Sequence, residues 1–243
     1  MSLPTAAQIY AAIEATWPAA AIHRVGPLAI RDGQGGGKRV SAATAEAPFT
    51  AEGIATAEAE LARLDQTPLF WIRAGDEALD TALAAQGYDI IDPVTLYAIP
   101  TDQIAQTPPR VSTFLMPEPL AIMAEIWAEG GIGPARLAVM ARAAQPQTMV
   151  LGRSQDRPVG AGFAALHDGI AMVHALEVRA SGRRQGAARH MMQALGGWAQ
   201  QQGAAHVALA VTEANAPANA LYSALGMAVV GRYHYRIKKS ETP

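Results

Sequence analysis

The sequence predicts an α/β fold built in two halves. Three observations carry that expectation. Stretches with apolar residues at helical spacing alternate with short apolar runs bounded by turn residues. Half of the 243 residues are hydrophobic and 16% are charged, which supplies a sizeable core and leaves disorder to the ends. A polar stretch over 100–110, holding Pro100, Pro108 and Pro109, interrupts the chain near its middle. The expected domains are residues 1–105 and 106–243.

In the first half, residues 5–16 read as a short amphipathic helix. Residues 25–45 read as two strands around the turn Asp32-Gly33-Gln34-Gly35-Gly36-Gly37, with Lys38-Arg39-Val40 continuing as strand. This glycine run lacks the strand-to-helix setting of a phosphate loop. A helix over 50–64 places Ile54, Ala57, Leu61 and Leu64 on one side. Leu69 to Arg73 reads as a buried strand, Glu77 to Gln86 as a helix stopped by Gly87, and 88–99 as one or two strands.

In the second half, helices are expected over 117–129 and 134–144, each opened by proline in its first turn. Met149 to Gly152 is a strand. Val159–His167 and Ile170–Val178 are strands around His167-Asp168-Gly169. Gly186 to Gln202 is a helix with Met191, Met192, Leu195 and Trp198 at helical spacing, stopped by Gly203. A strand over 206–211, a helix over 217–225 and a strand region over 227–237 complete the chain.

Composition narrows the chemistry. The chain has no cysteine, so a disulfide scaffold, a thiolate zinc site and a cysteine nucleophile are excluded, and a reducing cytoplasm suits it. Neither a signal peptide nor a membrane-spanning run is visible, so no membrane partner is expected. The six histidines lack metal-ligand spacing, so no metal is expected, and no Gly-x-Ser-x-Gly occurs. Net charge is −2, but residues 1–105 hold 6 Lys/Arg against 13 Asp/Glu, and residues 106–243 hold 13 against 8. Either an anionic ligand of the second half or mutual packing of the halves accounts for this. The basic residues are not interleaved with aromatics, so no nucleic-acid partner is expected.

The chemistry is concentrated in two stretches. The first runs Leu176-Glu177-Val178, then Arg183-Arg184-Gln185-Gly186-Ala187-Ala188-Arg189. It reads as a strand end, a basic turn and the small residues that open a helix. Unpaired N–H groups and the positive end of a helix dipole there suit an anion, and Gly186 lets the backbone approach it. A phosphate loop, a dinucleotide site or a plain helix cap could share this pattern. The second stretch is Asn215-x-x-Ala218-x-x-Leu221-Tyr222, followed by Leu225-Gly226-Met227.

In this order and spacing the two stretches resemble the GNAT superfamily of N-acetyltransferases, with Arg183, Gly186 and Ala188 filling the family's Arg/Gln-x-x-Gly-x-Gly/Ala turn. The likeness covers roughly residues 110–239. It implies a mixed, mostly antiparallel central sheet flanked by helices, with acetyl-CoA as acyl donor. It implies that residues 183–189 clamp the pyrophosphate, and that the strand at Leu176 and Val178 pairs with the pantetheine arm. A backbone N–H near Leu176 would polarise the thioester carbonyl. Tyr222 would protonate the leaving thiolate, a role suited to a phenol of reference pKa about 10. Asn215 would contact the cofactor or cap the helix before Pro217, Asn219 would do either, and Ala218 would matter by being small.

The general base is left open among Glu177, His174 and a water chain. Glu129 and Trp127 could face the acceptor pocket. The first half shows a fainter version of the same order. Ala78-Leu79-Asp80-Thr81-Ala82-Leu83 echoes Ala220-Leu221-Tyr222-Ser223-Ala224-Leu225, with Asp80 where the tyrosine stands. A degenerate GNAT-like half that has lost cofactor binding is therefore expected. The resemblance implies transfer to a primary amine, small-molecule or peptide, by direct attack in a ternary complex, and leaves a homodimer open. The competing readings are a non-catalytic acyl-CoA-binding regulator and a scaffold. An acidic first half would suit a cationic acceptor if it walls the site.

Overall fold

The computed structural model describes residues 2–46 and 48–238; Lys239, the end of the expected likeness, lies outside them. The first half runs α1 (Ala6–Thr16), β1 (Ala21–Val25), β2 (Leu28–Asp32), β3 (Ala43–Ala45), α2 (Ala51–Arg63), β4 (Leu69–Ile72), α3 (Glu77–Ala85), β5 (Tyr88–Pro100) and α4 (Thr101–Ile104). The second half runs β6 (Thr113–Met116), α5 (Ala121–Glu129), α6 (Pro134–Ala141), β7 (Gln147–Ser154), β8 (Arg157–His167), β9 (Ile170–Val178), α7 (Ala187–Gln201), β10 (His206–Thr212), α8 (Ala216–Ala224) and β11 (Ala228–Lys238).

The described strands form one eleven-stranded sheet, in the order β1-β2-β3-β4-β11-β5-β10-β9-β8-β7-β6. Only β3 with β4 and β9 with β10 run parallel. Each parallel pair is joined by a crossover helix, α2 or α7, as parallel strands require. The order β2-β3-α2-β4-α3-β5 is thus repeated as β8-β9-α7-β10-α8-β11.

The halves exchange their last strands. β5 lies along β10, with Val94 to Pro100 opposite Thr212 to His206. β11 lies along β4, with His234 to Ile237 opposite Ile72 to Leu69. β5 and β11 then pair with each other. Gly87 and Gly226 end α3 and α8 in the left-handed region (φ +81° and +80°), a glycine conformation at helix ends. Superposing these glycines puts Leu83 opposite Tyr222 and Asp80 opposite Asn219. The likeness read from sequence is therefore three residues out of register. Asp80 accepts from Arg236 Nε (2.7 Å) on β11, and Asn219 Oδ1 accepts from the Tyr97 hydroxyl (3.1 Å) on β5. In each half this position clasps the strand given by the other.

The sheet carries apolar layers on both faces. Met191, Met192, Leu195 and Trp198 of α7 pack with Val150, Val173, Val207, Leu209 and Tyr222. On the opposite face Ile9 and Ile13 of α1 pack with Leu96, Met172 and Ala208. Met123, Ile126 and Trp127 of α5 pack there with Met149 and Phe163.

Several expectations are corrected. Strand β1 pairs with β2 in a hairpin that the sequence reading passed over. Lys38–Val40 is a 3-10 turn rather than strand. Gly37 at φ +97° turns the chain, and a Cβ on Gly36 would lie 2.6 Å from Val139, so this loop is pressed onto α6. Helix α5 starts at Ala121 and not at 117, because Pro119 holds Glu118 out of the helical region. Of α5 and α6, only α6 has proline in its first turn. Strand β6 and the short α4 flank the proline-rich stretch.

Candidate active site

Strands β9 and β10 pair only from Ile170–Val173 against His206–Leu209. Beyond that point β9 stays on β8 as far as Val178, β10 stays on β5 as far as Thr212, and the two part. At the divergence β9 carries a bulge. Ala175 has φ +50°, and neither it nor Leu176 has a register partner on β8. Trp127 Nε1 donates to the Ala175 carbonyl at 2.8 Å. Because a peptide unit is planar and trans, the Leu176 N–H points the opposite way, away from Trp127.

The bulge also sets which face each side chain uses. His174 and Glu177 stand three apart, an odd spacing that regular strand would send to opposite faces. The extra residue puts both on one face, with His174 opposite Phe163 and Glu177 opposite Ala161. Both partners belong to the layer under α5. Leu176 and Val178 face the other way, toward the layer that contains Tyr222.

Glu177 and Tyr222 therefore approach the gap from opposite faces. Glu177 is half-buried beside Gly130, where an added Cβ would lie 2.8 Å from its carboxylate. Burial raises its pKa above the ordinary carboxylate value, and Arg183 and Arg136 offset part of that rise. Tyr222 is 7% exposed. Burial first, and the Glu177 charge second, push its phenol up, so it stays protonated across the physiological range. The effect of the Glu177 charge on Tyr222 puts the two groups within electrostatic reach of each other.

The turn after β9 has the expected form. Gly186 stands at φ +83° as the first cap of α7, with no side-chain hydrogen bond to the first turn. The leading N–H groups of α7, on Ala187, Ala188 and Arg189, have no acceptor within the helix. Arg183, Arg184, Gln185 and Gly186 are exposed, and Arg189 is partly so. Arg183 Nε donates to the Val178 carbonyl (3.1 Å), which folds it back over the strand. The Gln185 amide joins Ser181 and Ser154. Unpaired arginines and an uncapped helix suit a diphosphate, and the parted strands suit an extended arm beside Leu176 and Val178.

Other candidates hold the structure. Asn215 caps α8, accepting from Ala218 N at 3.2 Å. Asn219 Nδ2 donates to the carbonyls of Thr212 (3.0 Å) and Asn215 (2.9 Å), so its whole amide is engaged. Glu129 takes Arg179 Nη2 at 2.7 Å, and Trp127 is fully buried under the bulge. Arg39 donates to His174 Nδ1 (3.1 Å), so Nε2 carries the proton and meets Thr16 Oγ1 at 2.8 Å. Burial, then Arg39, hold the His174 imidazole well below its ordinary value. With both nitrogens engaged, His174 serves as a neutral strut between α1 and β9.

Sequence reasoning missed the glycine loop's part in the site. Gly36, Gly37, Lys38 and Arg39 wall a cavity of about 250 Å³ that Ala175 and Thr212, on the parting strands, also line. The only signal was the glycine run, which reads equally well as a hairpin turn.

Residues 118–227 match the model of the "Acetyltransferase (GNAT) family". This segment is a GNAT acetyltransferase domain. It contains α5 to α8 and so both the turn at 183–189 and Tyr222. No curated protein matches the chain in sequence. Among solved structures, a GCN5-related N-acetyltransferase from Kribbella flavida is 19% identical, with 97% of this chain and 96% of that one covered at a TM-score of 0.71. A GCN5-related N-acetyltransferase from Sphaerobacter thermophilus is 19% identical, with 81% and 72% covered at 0.61. A tandem GNAT protein from the clavulanic acid biosynthesis pathway is 15% identical, with 81% and 74% covered at 0.59. These likenesses establish a GNAT fold whose extent runs beyond the GNAT domain into the first half. Among the described residues no helix is long and apolar enough to cross a membrane, and no group of three His, Asp or Glu is placed to hold a metal.

Proposed function

We propose that this protein is a cytoplasmic N-acetyltransferase that uses acetyl-CoA and a primary amine in a ternary complex. Residues 106–243 supply the transfer chemistry and residues 1–105 wall the acceptor side. The observation that carries the reading is the opposition of Glu177 and Tyr222 across the gap between β9 and β10. Acetyl-CoA supplies an acyl group activated as a thioester. Arg183, Arg184, Arg189 and the leading N–H groups of α7 hold its diphosphate. Leu176 and Val178 offer backbone groups to its arm, and the Leu176 N–H polarises the acyl carbonyl. On the α5 face, Glu177 takes a proton from the incoming ammonium, a task that its raised pKa suits. On the α8 face, the Tyr222 hydroxyl gives a proton to the departing thiolate.

Titration calorimetry with CoA and a thiol-release screen of amines test this reading. Tyr222→Phe should keep CoA affinity and lower kcat by about 10²-fold, the lower end of what a positioned general acid contributes. A protein that binds CoA yet acetylates no amine would instead be the non-catalytic regulator, and absent CoA affinity would remove the assignment altogether.

A further inference from the structure

Resting on the transferase reading above, we infer that the acceptor is a small primary amine that also bears a carboxylate, held by Arg39 and Arg136 in the cavity between the halves. The cavity lies on the face that carries Glu177, and Ala175 and Thr212 place it at the mouth of the strand gap. An amine bound there reaches the base without crossing the sheet.

Charge selects the rest of the molecule. Lys38 and Asp92, both lining the cavity, neutralise each other at 2.7 Å. Among the described residues neither Arg39 nor Arg136 has a carboxylate within 4.0 Å. Two guanidinium charges are thus left facing one small space. The acidic surplus of the first half does not reach it, because the first half contributes Lys38 and Arg39 along with Asp92. A cationic polyamine is disfavoured here, which reverses the expectation drawn from overall charge.

Both arginines are positioned before any ligand arrives. Arg39 is fixed by His174 and lies beside the Tyr233 and Tyr235 hydroxyls. A carboxylate entering the cavity meets two guanidinium groups that no protein carboxylate holds, and can form charge-assisted bonds with them. The Arg136 guanidinium rests on Gly37, where an added Cβ would come within 3.3 Å of it. Arg136 also acts on the Glu177 charge, so it spans the distance from the cavity to the base. Trp17, Val94 and Ile132 supply an apolar wall. The volume falls below the roughly 300 Å³ of drug-sized sites, which fits a small amino acid or similar compound.

The test compares matched pairs: glycine, alanine, leucine and phenylalanine, each as free acid and as amide, with putrescine as the cationic control. The amide's amine is the less basic, so reactivity alone favours the amide and works against the inference. At least one acid should exceed its amide tenfold or more in kcat/KM. Arg39→Gln and Arg136→Gln should each erase that preference mainly through KM, and Arg39→Lys should keep part of it. Equal rates within every pair, or a preference for amides or putrescine, overturn the inference while leaving the transferase reading intact. Calorimetric titration of the N-acetylated acids and amides into CoA-loaded wild-type protein gives a readout that needs neither turnover nor a folded variant. Tenfold tighter binding of an acid upholds the anion site even if no amine is acetylated, in which case only the transferase reading fails. Equal or absent binding, without a kinetic preference, sinks the anion site.

Discussion

Glu177 combines a functional and an energetic consequence in one carboxyl group. Its pKa is raised in the folded protein, chiefly by burial. The folded state therefore holds the proton more tightly than the unfolded chain. Its contribution to stability is fully present below the ordinary carboxylate range and is lost as pH rises through the folded value. Activity runs the other way, because only the ionised form can take the ammonium proton. We expect the acid limb of kcat/KM to lie above the ordinary glutamate value of 4.5. Glu177→Gln should flatten that limb, lower kcat by about 10²- to 10⁴-fold, and melt at a higher temperature than the parent at pH 7–8, with the difference shrinking below pH 4.5. Kinetics and melting curves over pH 4–9 check both parts. A variant less stable than the parent at pH 8 would contradict the burial argument. The face Glu177 occupies could not be read from sequence, because it depends on the bulge at Ala175, which a tryptophan 48 residues earlier holds in place.

Helix α7 shows the opposite balance between local and distant signals. Its start at Gly186, its apolar stripe and its stop at Gly203 are written within one short stretch, and α8 with its proline and closing glycine is similarly local. Both were legible. The arginines before α7 are exposed and form no ion pair among the described residues, so their removal should leave the fold alone. The double variant Arg183→Ala/Arg184→Ala should weaken CoA binding about tenfold, as the loss of two partly screened charge contacts implies. That loss should narrow in high salt. Calorimetry in 50 mM and 500 mM salt measures it, and an unchanged affinity would remove the clamp from this turn. Gly37 and Arg39 show what stays hidden. Their loop carries turn residues and no motif, and its meaning appears only when β11, α1 and α6 close around it.

At the scale of the whole molecule, the exchanged strands make the halves one cooperative body. Leu96 of β5 is fully buried in a layer shared with α1, β9, β10 and β11. Leu96→Ala should cost about 2–5 kcal/mol and should loosen both halves together. Native-state hydrogen exchange can check this: amides in β2 and β8 should report the same opening free energy before and after the change. Values about 2 kcal/mol apart would mean that the halves open separately. The repeat itself was visible in α3 and α8, although out of register, since short alanine-rich helices can be slid along each other until a fixed glycine anchors them. The exchange was invisible, because pairing of β5 with β10 joins residues more than a hundred positions apart, and local patterning holds no record of it.

The exchange also sets an order of events during synthesis. Strand β11 fills the place between β4 and β5, and it leaves the ribosome more than 150 residues after β4. At 5–20 residues per second, the interval between the two lasts on the order of 8–30 s. Throughout that interval β4 is an open edge, and an apolar one, whose Phe70 and Trp71 are fully covered in the folded protein. Nascent chains stalled before β11 emerges should therefore be cut by protease within 50–75, and chains released past Lys238 should resist. Resistance in the stalled chains would mean that the first half closes its sheet by itself. On this reading β11 works as a latch for the first half, and holding factors that cover the β4 edge matter most until β11 emerges.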